Sequence, residues 1–376
     1  MLSTHDYDRY FPFNVIRPEQ RSAIEFALEA FIDNKKQFVL LEMGTGCGKS
    51  ATGITIARYL AANTDKLPQH GPDEEIKSGA YVLTTQKVLQ QQYVRDFGPD
   101  AKNVLRSIKS SRNYTCRFYS DQDCGTSKRI LARMKKQLAG TEFQKCCSSS
   151  CPYSIEKQEF MDSPIGITNF SYFLAETMYA KKIEPRETLI IDECHNIESE
   201  LGKFIEVTFS ERFATDILKC KLPKFKSTGD ALSLEVFTWV KKKYLPALLK
   251  HMTALEKLLE TRLNAGMDNF AEYSKEYEAL DMHLCKVNRF VSTFAVQNWI
   301  MNLIEPAFGT KQKRKFEFKP VDVSAYGYDM LYRFGGRVLM MSATVVDHEV
   351  FCKSIGGDPS DVAYLRIPSP FPIENR

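Results

Sequence analysis

The chain has 376 residues, of which 43% are hydrophobic and 26% are charged, and its formal net charge is +4. This is the composition of an ordinary soluble globular protein, and the length leaves room for two or three domains. The sequence has no run of about eighteen apolar residues and no apolar region at its acidic start, which argues against a membrane span and a signal peptide. We therefore expect a protein that is not secreted but cytoplasmic, or nuclear in a eukaryote. Its mild charge permits a nucleic-acid partner without requiring one.

Helical patterns alternate with short apolar runs along much of the chain. The helical patterns repeat apolar residues at three- and four-residue spacing, whereas the apolar runs are short enough to be buried strands. Because buried strands that alternate with helices form parallel sheets, we predict a mainly parallel α/β sheet. In chain order, the predicted elements are a helix at 17–34, a strand at 37–43, a helix at 50–63, a strand at 79–86, a helix at 87–97 and strands at 187–193 and 336–344.

The glycine-rich sequence GTGCGKS lies between the first predicted strand and the following helix. A strand, a glycine loop and a helix are the context in which backbone amides cradle phosphate oxygens at a helix N-terminus. Lys49 is predicted to neutralise the β- and γ-phosphates of ATP, and Ser50 to give its hydroxyl to Mg²⁺. Met43 stands where the strict motif has glycine. The candidate nucleotide-binding residues of this loop are Gly44, Thr45, Gly46, Cys47, Gly48, Lys49 and Ser50.

Five of the ten cysteines fall within 36 positions in the middle of the chain. In a protein that is not exported, thiols stay reduced, so these cysteines are interpreted as buried thiols or metal ligands rather than disulfides. Polar surroundings such as KCCSSSC are poor material for a hydrophobic core. The lack of paired C-x-x-C knuckles weakens a zinc site without excluding it. The five residues are Cys116, Cys124, Cys146, Cys147 and Cys151.

The sequence LIIDECHNIE supplies the second half of an ATPase site. Asp192, at the end of a buried strand, can hold Mg²⁺ through a water molecule, and Glu193 can orient and deprotonate the attacking water. His195 could couple the nucleotide state to the SAT segment at residues 342–344, or it could be a structural histidine. Together with the phosphate loop, this pair predicts an ATP hydrolase that uses ATP and Mg²⁺.

Residues 200–322 are predicted to be wholly helical, because Leu, Phe, Trp and Met recur there at helical spacing and would form a helical core. The basic run KQKRKFEFK near the end of this segment is predicted to mark the return into the sheet. The predicted plan is one α/β domain with two insertions. Its segments are 1–104, 165–199 and 323–376 for the α/β domain, 105–164 for the cysteine module and 200–322 for the helical insertion.

The motifs follow an order that is similar to that of one helicase family. The series RPEQ, LLEMGTGCGKS, VLTTQKVLQQQ, CPY, TNFSYFL, IIDECHNIE, MMSATV and SPFPIENR resembles the XPD/DinG family of superfamily 2 iron–sulfur DNA helicases. The resemblance covers nearly the whole chain, although residues 200–322 match only in position and character. It implies a RecA-like P-loop NTPase domain with a DEAH-type box, an iron–sulfur insertion and a helical arch insertion. The sequence LLEM resembles the XPD branch and accounts for Met43.

The resemblance also implies a ligand set for a [4Fe–4S] cluster. Cys116, which follows SRNYT, is similar to the first ligand of the family, and Cys151 in CPY is similar to the last. Cys124 and either Cys146 or Cys147 would complete the four ligands. Zn²⁺ remains the alternative metal, and buried thiols remain the alternative to a metal site.

Further residues take their expected roles from the same resemblance. Gln20 of RPEQ looks like the glutamine that the family places beside the adenine. Ser342 and Thr344 of the SAT segment are implied as the hydroxyls that couple the nucleotide site to the DNA site. The residues that match single-stranded DNA contacts of the family are Thr85, Gln86 and Asn169.

The sequence SPFPIENR resembles the start of the second motor domain of the family, and nothing follows Arg376. From the resemblance we expect an ATP-dependent, 5′-to-3′ translocating DNA helicase, of which this chain is the ATP-binding half. Its partners would be single-stranded or forked DNA and a second motor domain, in cis or from another chain, without which turnover should be poor. The alternative is a non-catalytic DNA-binding or regulatory module that retains the nucleotide site. A P-loop kinase or metabolic ATPase has no evident use for TTQKVLQQQ and SAT.

Overall fold

The structure is a computed structural model that describes most of the chain. Among the described residues, no helix combines the length and the apolar character that crossing a lipid bilayer requires. The described residues are 5–64, 76–98, 105–117, 123–127, 151–265, 270–306 and 313–371.

The chain divides into two compact units, and it enters both of them more than once. The first unit is assembled from three stretches of sequence, and the second from the two stretches that interrupt them. The segment boundaries predicted from the sequence stay predictions. The first unit comprises Met1–Ser110, Tyr153–Leu201 and Val323–Arg376, and the second comprises Ser111–Pro152 and Gly202–Asp322.

The strands and the longer helices are numbered here in chain order. The strands of the described residues are β1 (Phe38–Met43), β2 (Lys77–Thr84), β3 (Leu105–Ser107), β4 (Ile165–Asn169), β5 (Arg186–Asp192), β6 (Val207–Ser210), β7 (Trp299–Ile304), β8 (Lys315–Pro320), β9 (Gly335–Ser342) and β10 (Val362–Ile367). The helices of six or more residues are α1 (Pro18–Leu28), α2 (Lys49–Ala62), α3 (Lys87–Phe97), α4 (Pro152–Asp162), α5 (Phe170–Ala175), α6 (Ile197–Ile205), α7 (Gly229–Trp239), α8 (Leu245–Ala265), α9 (Phe270–Thr293), α10 (Ser324–Met330) and α11 (His348–Ser354).

The first unit is built on a seven-stranded sheet in the order β10–β1–β9–β5–β2–β4–β3. All of its neighbouring strands are parallel, which confirms the predicted mainly parallel α/β sheet. The interior strand β9 is buried along its whole length, as expected for a parallel sheet that is covered on both faces. The sequence did not reveal β3, β4 and β10. Strand β3 has three residues and β4 has five, and most side chains of β10 are only half-buried, so none produces a long apolar run.

The sheet brings the ends of distant sequence segments to one edge. Glu42 of β1 pairs with Ser342 of β9, β5 ends at Asp192, and Thr84 of β2 pairs with Asn169 of β4. In an open parallel sheet the carboxyl ends of the strands face the crevice in which ligands bind. The motifs singled out in the sequence therefore share the edge at which a binding site is expected.

Helix α1 packs its apolar stripe into the core of the first unit. Ile24, Ala27 and Leu28 of α1, and Phe31 just beyond its end, are fully buried and belong to the same hydrophobic cluster as side chains of β1, β9 and α2. Proline at the first helical position suits this helix start, because its fixed φ is already helical and it lacks an amide hydrogen that would go unbonded. The burial of this stripe orients the start of the helix, and with it the RPEQ motif.

Residues 200–322, which form most of the second unit, are not wholly helical, so the prediction of a wholly helical segment was wrong. Besides helices, they contain a three-stranded antiparallel sheet in the order β6–β8–β7. Phe316 and Phe318 of β8 are buried, whereas Lys315 and Lys319 are exposed, which is the two-residue period of a strand. The charged residues of KFEFK obscured this period. The run forms β8 of the small sheet, and the chain returns to the large sheet only at β9.

Aromatic rings make up much of the core of the second unit. The ring of Phe290 lies 5.0 Å from that of Trp299, measured between centroids, and Phe290 is fully buried. Nearby, the hydroxyl of Tyr244 lies 2.9 Å from Nε2 of His283. Burial lowers the pKa of His283 from its usual value of 6.5 to about 4. This imidazole is therefore neutral at pH 7.

We expect the second unit to lose stability as the pH falls from 6.5 towards 4. Over this range unfolding takes up a proton on His283, so the free energy of unfolding should fall by about 2 kcal/mol near pH 5. Urea unfolding at pH 7 and pH 5 can be followed by tryptophan fluorescence, because Trp239 and Trp299, the two tryptophans of the chain, both lie in this unit. His283→Gln keeps a polar partner for Tyr244 and should reduce the pH dependence. An undiminished pH dependence in the variant would contradict this expectation.

Candidate nucleotide-binding site

The glycines of the phosphate loop are required by its conformation and by its neighbours. The loop connects the end of β1 to Lys49, the first residue of α2. Gly46 and Gly48 both have φ of +82°, in the left-handed region that side chains disfavour. A Cβ atom on Gly46 would stand 2.2 Å from Cε2 of Phe371, and one on Gly48 would stand 2.2 Å from Nε2 of Gln20. Neither position can accept a larger residue without local rearrangement.

The loop lies at the N-terminus of α2, a helix of 14 residues. The first amide groups of a helix have no partner within it and carry a partial positive charge, so this end attracts anions. Lys49 and Ser50 are the first two residues of the helix, and the side chain of Lys49 is only 13% exposed. This arrangement is suited to binding phosphate groups.

Two side chains of the RPEQ motif lie against the loop. Nη1 of Arg17 donates to the carbonyl oxygen of Gly46 at 2.9 Å, and the backbone amide of Arg17 donates to Oε1 of Gln20 at 3.0 Å. Gln20 is 3% exposed and approaches the loop at Gly48. The predicted nucleotide-site residue Gln20 is thus next to the phosphate loop, although its contact with adenine stays a prediction. The contact of Arg17 with the loop was not predicted from the sequence, although Arg17 belongs to the same RPEQ motif as Gln20.

The segment that follows β10 also contacts the phosphate loop. The hydroxyl of Ser369 donates to the carbonyl oxygen of Thr45 at 2.9 Å, and the thiol of Cys47 lies 3.6 Å from the carbonyl oxygen of Pro368. Cys47 is fully buried. Sequence reasoning assigned SPFPIENR only to the start of a further domain and did not foresee these contacts, because they join residues more than 300 positions apart.

The carboxylate of Asp192 is buried at the end of β5 and is held in place by hydrogen bonds. The hydroxyl of Tyr93 donates to Oδ2 at 2.7 Å, and the backbone amide of Glu193 donates to Oδ1 at 3.1 Å. Burial raises the pKa of Asp192, and the hydrogen bond from Tyr93 and the charge of Lys49 act in the opposite direction. Tyr93 was not foreseen as a site residue. The available indication was that Tyr93 is buried in α3, where its hydroxyl needs a hydrogen-bond partner.

Lys49 and Glu193 face each other across the candidate site. Nζ of Lys49 lies 3.7 Å from Oε1 of Glu193, and the Glu193 side chain is 29% exposed. Glu193 has φ of +54°, an unfavourable conformation for a residue other than glycine that costs about 1–2 kcal/mol. Strain of this kind concentrates at functional sites. The pair places a cation for phosphate binding beside a carboxylate that can accept a proton.

His195 connects the acidic pair to the SAT segment. Its Nδ1 lies 2.9 Å from Oγ of Ser342 and 3.4 Å from Oε2 of Glu193. Oγ of Ser342 donates to the carbonyl oxygen of Thr344 at 3.1 Å and accepts from its amide at 3.3 Å. Nε2 of His195 lies 2.9 Å from Nδ2 of Asn196. Of the two roles left open by the sequence, these contacts favour coupling over a structural histidine, and the role itself stays a prediction.

The residues predicted to contact DNA lie at the ends of two paired strands. Thr84 at the end of β2 pairs with Asn169, and Thr85 and Gln86 follow directly. Thr85 is half-buried and Gln86 is exposed. Oδ1 of Asn169 accepts a hydrogen bond of 3.0 Å from the amide of Tyr172 and so caps α5. The three predicted residues thus share one edge of the sheet, while their contact with DNA stays a prediction.

Three of the predicted iron–sulfur ligands lie in the described part of the second unit, and all three are buried. Sγ of Cys124 lies 3.4 Å from Sγ of Cys151. The backbones of Thr115 and Asp123 form an antiparallel bridge, which holds Cys116 and Cys124 on neighbouring chain segments. The fold therefore brings the cysteine-bearing segments together.

The remaining ligand candidates, Cys146 and Cys147, lie outside the described residues. Within the ranges that the structure describes, no group of three or more His, Cys, Asp or Glu side chains is arranged to hold a metal ion. The thiol pair of Cys124 and Cys151 suits metal binding in its chemistry, but the described residues do not assemble a complete set of ligands.

Residues 14–220 match the protein family described as type III restriction enzyme, res subunit. The chain belongs to this family. The matched range contains the phosphate loop and the Asp192–Glu193 pair, so the two halves of the candidate site both lie in a helicase-type domain of the res-subunit family. No curated protein sequence matches the chain.

Solved structures of XPD helicases resemble this res-subunit family member. One described as an XPD helicase aligns with a TM-score of 0.54 and 15% identity, covering 94% of this chain and 63% of the other. The chain thus spans less than two thirds of that protein. A structure described as a truncated XPD aligns with a TM-score of 0.49 and 14% identity, covering 93% of this chain and 99% of the other. The XPD-like superfamily 2 helicase fold predicted from the motif order is confirmed by the first alignment and the family match.

Proposed function

We propose that this chain is the ATP-binding half of an ATP-driven DNA helicase that moves 5′-to-3′ on single-stranded or forked DNA. The observation that carries the proposal is the approach of Lys49 to Glu193, 3.7 Å apart, beside the buried carboxylate of Asp192. A cation at a helix N-terminus and two adjacent carboxylates are the groups that phosphoryl transfer to water needs. Membership of a helicase-type family and the XPD-like fold support the same proposal.

The residues of the candidate site have different roles in the proposed hydrolysis. The amides of the phosphate loop and the ammonium of Lys49 bind the phosphate chain, and Glu193 orients the attacking water and accepts its proton. Ser50 and Asp192 have the oxygen ligands that Mg²⁺ prefers, Asp192 acting through a water molecule. When bound, Mg²⁺ would offset the charge of the phosphates. Tyr93 keeps the Asp192 carboxylate oriented through its hydrogen bond.

The contact of His195 with Ser342 supports a coupling between ATP hydrolysis and DNA. Ser342 ends β9 and Thr344 follows it, while the proposed DNA contacts lie where Thr85 follows β2 and Asn169 ends β4 of the same sheet. A change at Glu193 could reach Ser342 through His195, because each neighbouring pair is within hydrogen-bond or ion-pair distance. We propose this chain of contacts as the route by which DNA occupancy influences hydrolysis.

A second motor domain, in cis or from another chain, is part of the proposal. The chain spans 63% of the XPD helicase that it resembles in fold. In motors of this class the second domain contributes arginines to the γ-phosphate, and losing such an arginine costs on the order of 10³ or more in rate. The chain by itself should therefore bind Mg·ATP and hydrolyse it slowly.

The proposal is tested by titrating the chain with Mg·ATP and with fluorescein-labelled oligo(dT), and by measuring phosphate release with and without the oligonucleotide. We expect binding of both ligands and faster hydrolysis when DNA is present. If the chain fails to bind Mg·ATP at millimolar concentration, the proposal is wrong. Binding of both ligands with no DNA stimulation, even with a second motor domain supplied, would instead indicate a regulatory DNA-binding module.

We also propose that the cysteines of the second unit hold a [4Fe–4S] cluster, with Zn²⁺ as the alternative. The 3.4 Å approach of the Cys124 and Cys151 thiols, together with the burial of Cys116, supports a shared thiolate site. Cys146 or Cys147 would supply the fourth ligand. When present, the cluster would cross-link the chain segments that contain Cys116, Cys124 and Cys151.

Replacing Cys151 by serine is expected to remove most of the protein-bound iron and sulfide, because a four-thiolate cluster rarely survives the loss of a ligand. The protein is purified anaerobically and analysed for iron, sulfide and zinc, and its broad absorption at about 400 nm is recorded. Cys352→Ser is the matched control, since Cys352 is equally buried but lies in the first unit. A colourless wild-type protein that contains zinc would show that the site binds zinc and not an iron–sulfur cluster. An iron content unaffected by Cys151→Ser would show that Cys151 is not a ligand.

A further inference from the structure

An open groove of about 1230 Å³ lies within the second unit. One wall is the irregular segment 219–227, and the other is formed by α7 and the turn that leads to α8. Most of the lining surface is apolar. Leu234 of α7 contributes to it and is 51% exposed.

The groove is held open by packing beneath it. Trp239 is only 5% exposed, and its ring packs against those of Phe225 and Tyr244 with centroid distances of 6.5 and 5.4 Å. Its Nε1 donates a hydrogen bond of 3.1 Å to the carbonyl oxygen of Lys221. The irregular wall is thereby fixed to α7. A ligand would meet a pre-formed surface and would not need to order this segment.

The charge around the groove is strongly positive. Among the described residues that line it, Glu235 is the one carboxylate, and it accepts hydrogen bonds from the hydroxyl of Ser227 at 2.6 Å and from the amide of Lys226 at 3.3 Å. Glu235 is thus engaged with the irregular wall. The exposed lysines of the lining are Lys219, Lys221, Lys224, Lys226, Lys242 and Lys243.

We propose that this groove docks a partner protein through an amphipathic segment whose apolar side chains are flanked by acidic ones. An apolar floor with basic edges matches such a segment: leucine-like side chains would enter beside Leu234, and carboxylates would meet the lysines. Single-stranded nucleic acid fits less well, because sequence-tolerant stacking of bases needs exposed aromatic faces, and of the aromatic residues that line the groove Trp239 is buried and Phe225 is half-buried. The proposal is independent of the nucleotide site in the first unit.

The probe is a fluorescein-labelled, helix-forming peptide of about 18 residues with leucines on one face and glutamates on the other. Its binding to the full chain is measured by fluorescence anisotropy at low and high salt. We expect the peptide to bind, and its affinity to fall as salt screens the lysines. A peptide with lysine in place of every glutamate, and labelled oligo(dT), are measured in parallel.

Matched variants locate the binding surface. Leu234→Glu, and separately the double variant Lys242→Glu with Lys243→Glu, should each weaken peptide binding by about tenfold or more, because each removes a main part of the contact. Leu249→Glu changes a similarly exposed leucine of α8 outside the groove and should alter the affinity less than about twofold. Tryptophan fluorescence checks that every variant is folded.

Several outcomes would overturn the proposal. Equal binding of the acidic and the basic peptide would show that charge does not select the ligand. An equal effect of Leu234→Glu and Leu249→Glu would place the binding elsewhere. Absence of acidic-peptide binding, with oligo(dT) binding that Leu234→Glu abolishes, would assign the groove to nucleic acid instead.

Discussion

Replacing Lys49 by alanine is expected to weaken the binding of Mg·ATP by about a hundredfold. The side chain of Lys49 is 13% exposed at the N-terminus of α2, where a phosphate would be bound with little competition from water. Removing one partner of such a charged contact typically costs about 3 kcal/mol, which corresponds to this loss of affinity. The measurement is a titration of wild type and variant with a fluorescent ATP analogue in the presence of Mg²⁺.

The control for this prediction is Lys353→Ala, which removes an exposed lysine of α11 in the same unit. It should leave the affinity unchanged, because Lys353 lies outside the candidate site. Thermal unfolding of both variants shows whether a loss of binding reflects a loss of folding. Wild-type affinity in a folded Lys49→Ala protein would mean that the glycine loop does not bind the phosphates.

Replacing Glu193 by glutamine is expected to slow ATP hydrolysis by about 10²–10⁴-fold while leaving the binding of Mg·ATP nearly intact. Glutamine has the shape of glutamate but cannot accept the proton of the attacking water, and general-base catalysis contributes an acceleration of this size. Because the chain alone should turn over slowly, the rate is measured as a single turnover of bound ATP with oligo(dT) present. The separation of binding from hydrolysis distinguishes this variant from Lys49→Ala.

Glu198→Gln is a close control, since Glu198 is an exposed residue of α6 only five positions away. Its hydrolysis rate should match that of the wild type. Equal rates in wild type and Glu193→Gln would remove Glu193 from the mechanism. If Glu193→Gln instead lost affinity for Mg·ATP, its contact with Lys49 would have to be structural and not catalytic.

The two halves of the nucleotide site could be predicted because each depends on residues that are adjacent in sequence. The conformation of the phosphate loop depends on Gly46 and Gly48, which the chain supplies next to the strand before it and the helix after it. Asp192 and Glu193 follow directly from the apolar run of β5. The signals of both motifs are local, so the sequence was sufficient to recognise them.

The residues that support these motifs could not be predicted in the same way. Tyr93 lies in the middle of a helix, and no residue near it in sequence indicates that it donates a hydrogen bond to Asp192, 99 positions away. Arg17 and Ser369 contact the phosphate loop from opposite ends of the chain. The small antiparallel sheet was missed for a related reason: the two-residue period of β8 is read correctly only when the partners β6 and β7 are known.

By itself, the sequence determined the phosphate loop, the acidic pair and the alternation of strands and helices, because backbone conformation and burial pattern depend mainly on neighbouring residues. Only the tertiary structure decided which motifs meet. Strand β9 lies between β1 and β5, so Ser342 at its end comes within 2.9 Å of His195 across 147 positions, and β10 lies beside β1, so Ser369 reaches Thr45 across 324. The same holds for the basic apolar groove, whose walls are defined by how Trp239 packs. Contacts of this range depend on the order of strands and the packing of side chains, which local patterns do not specify.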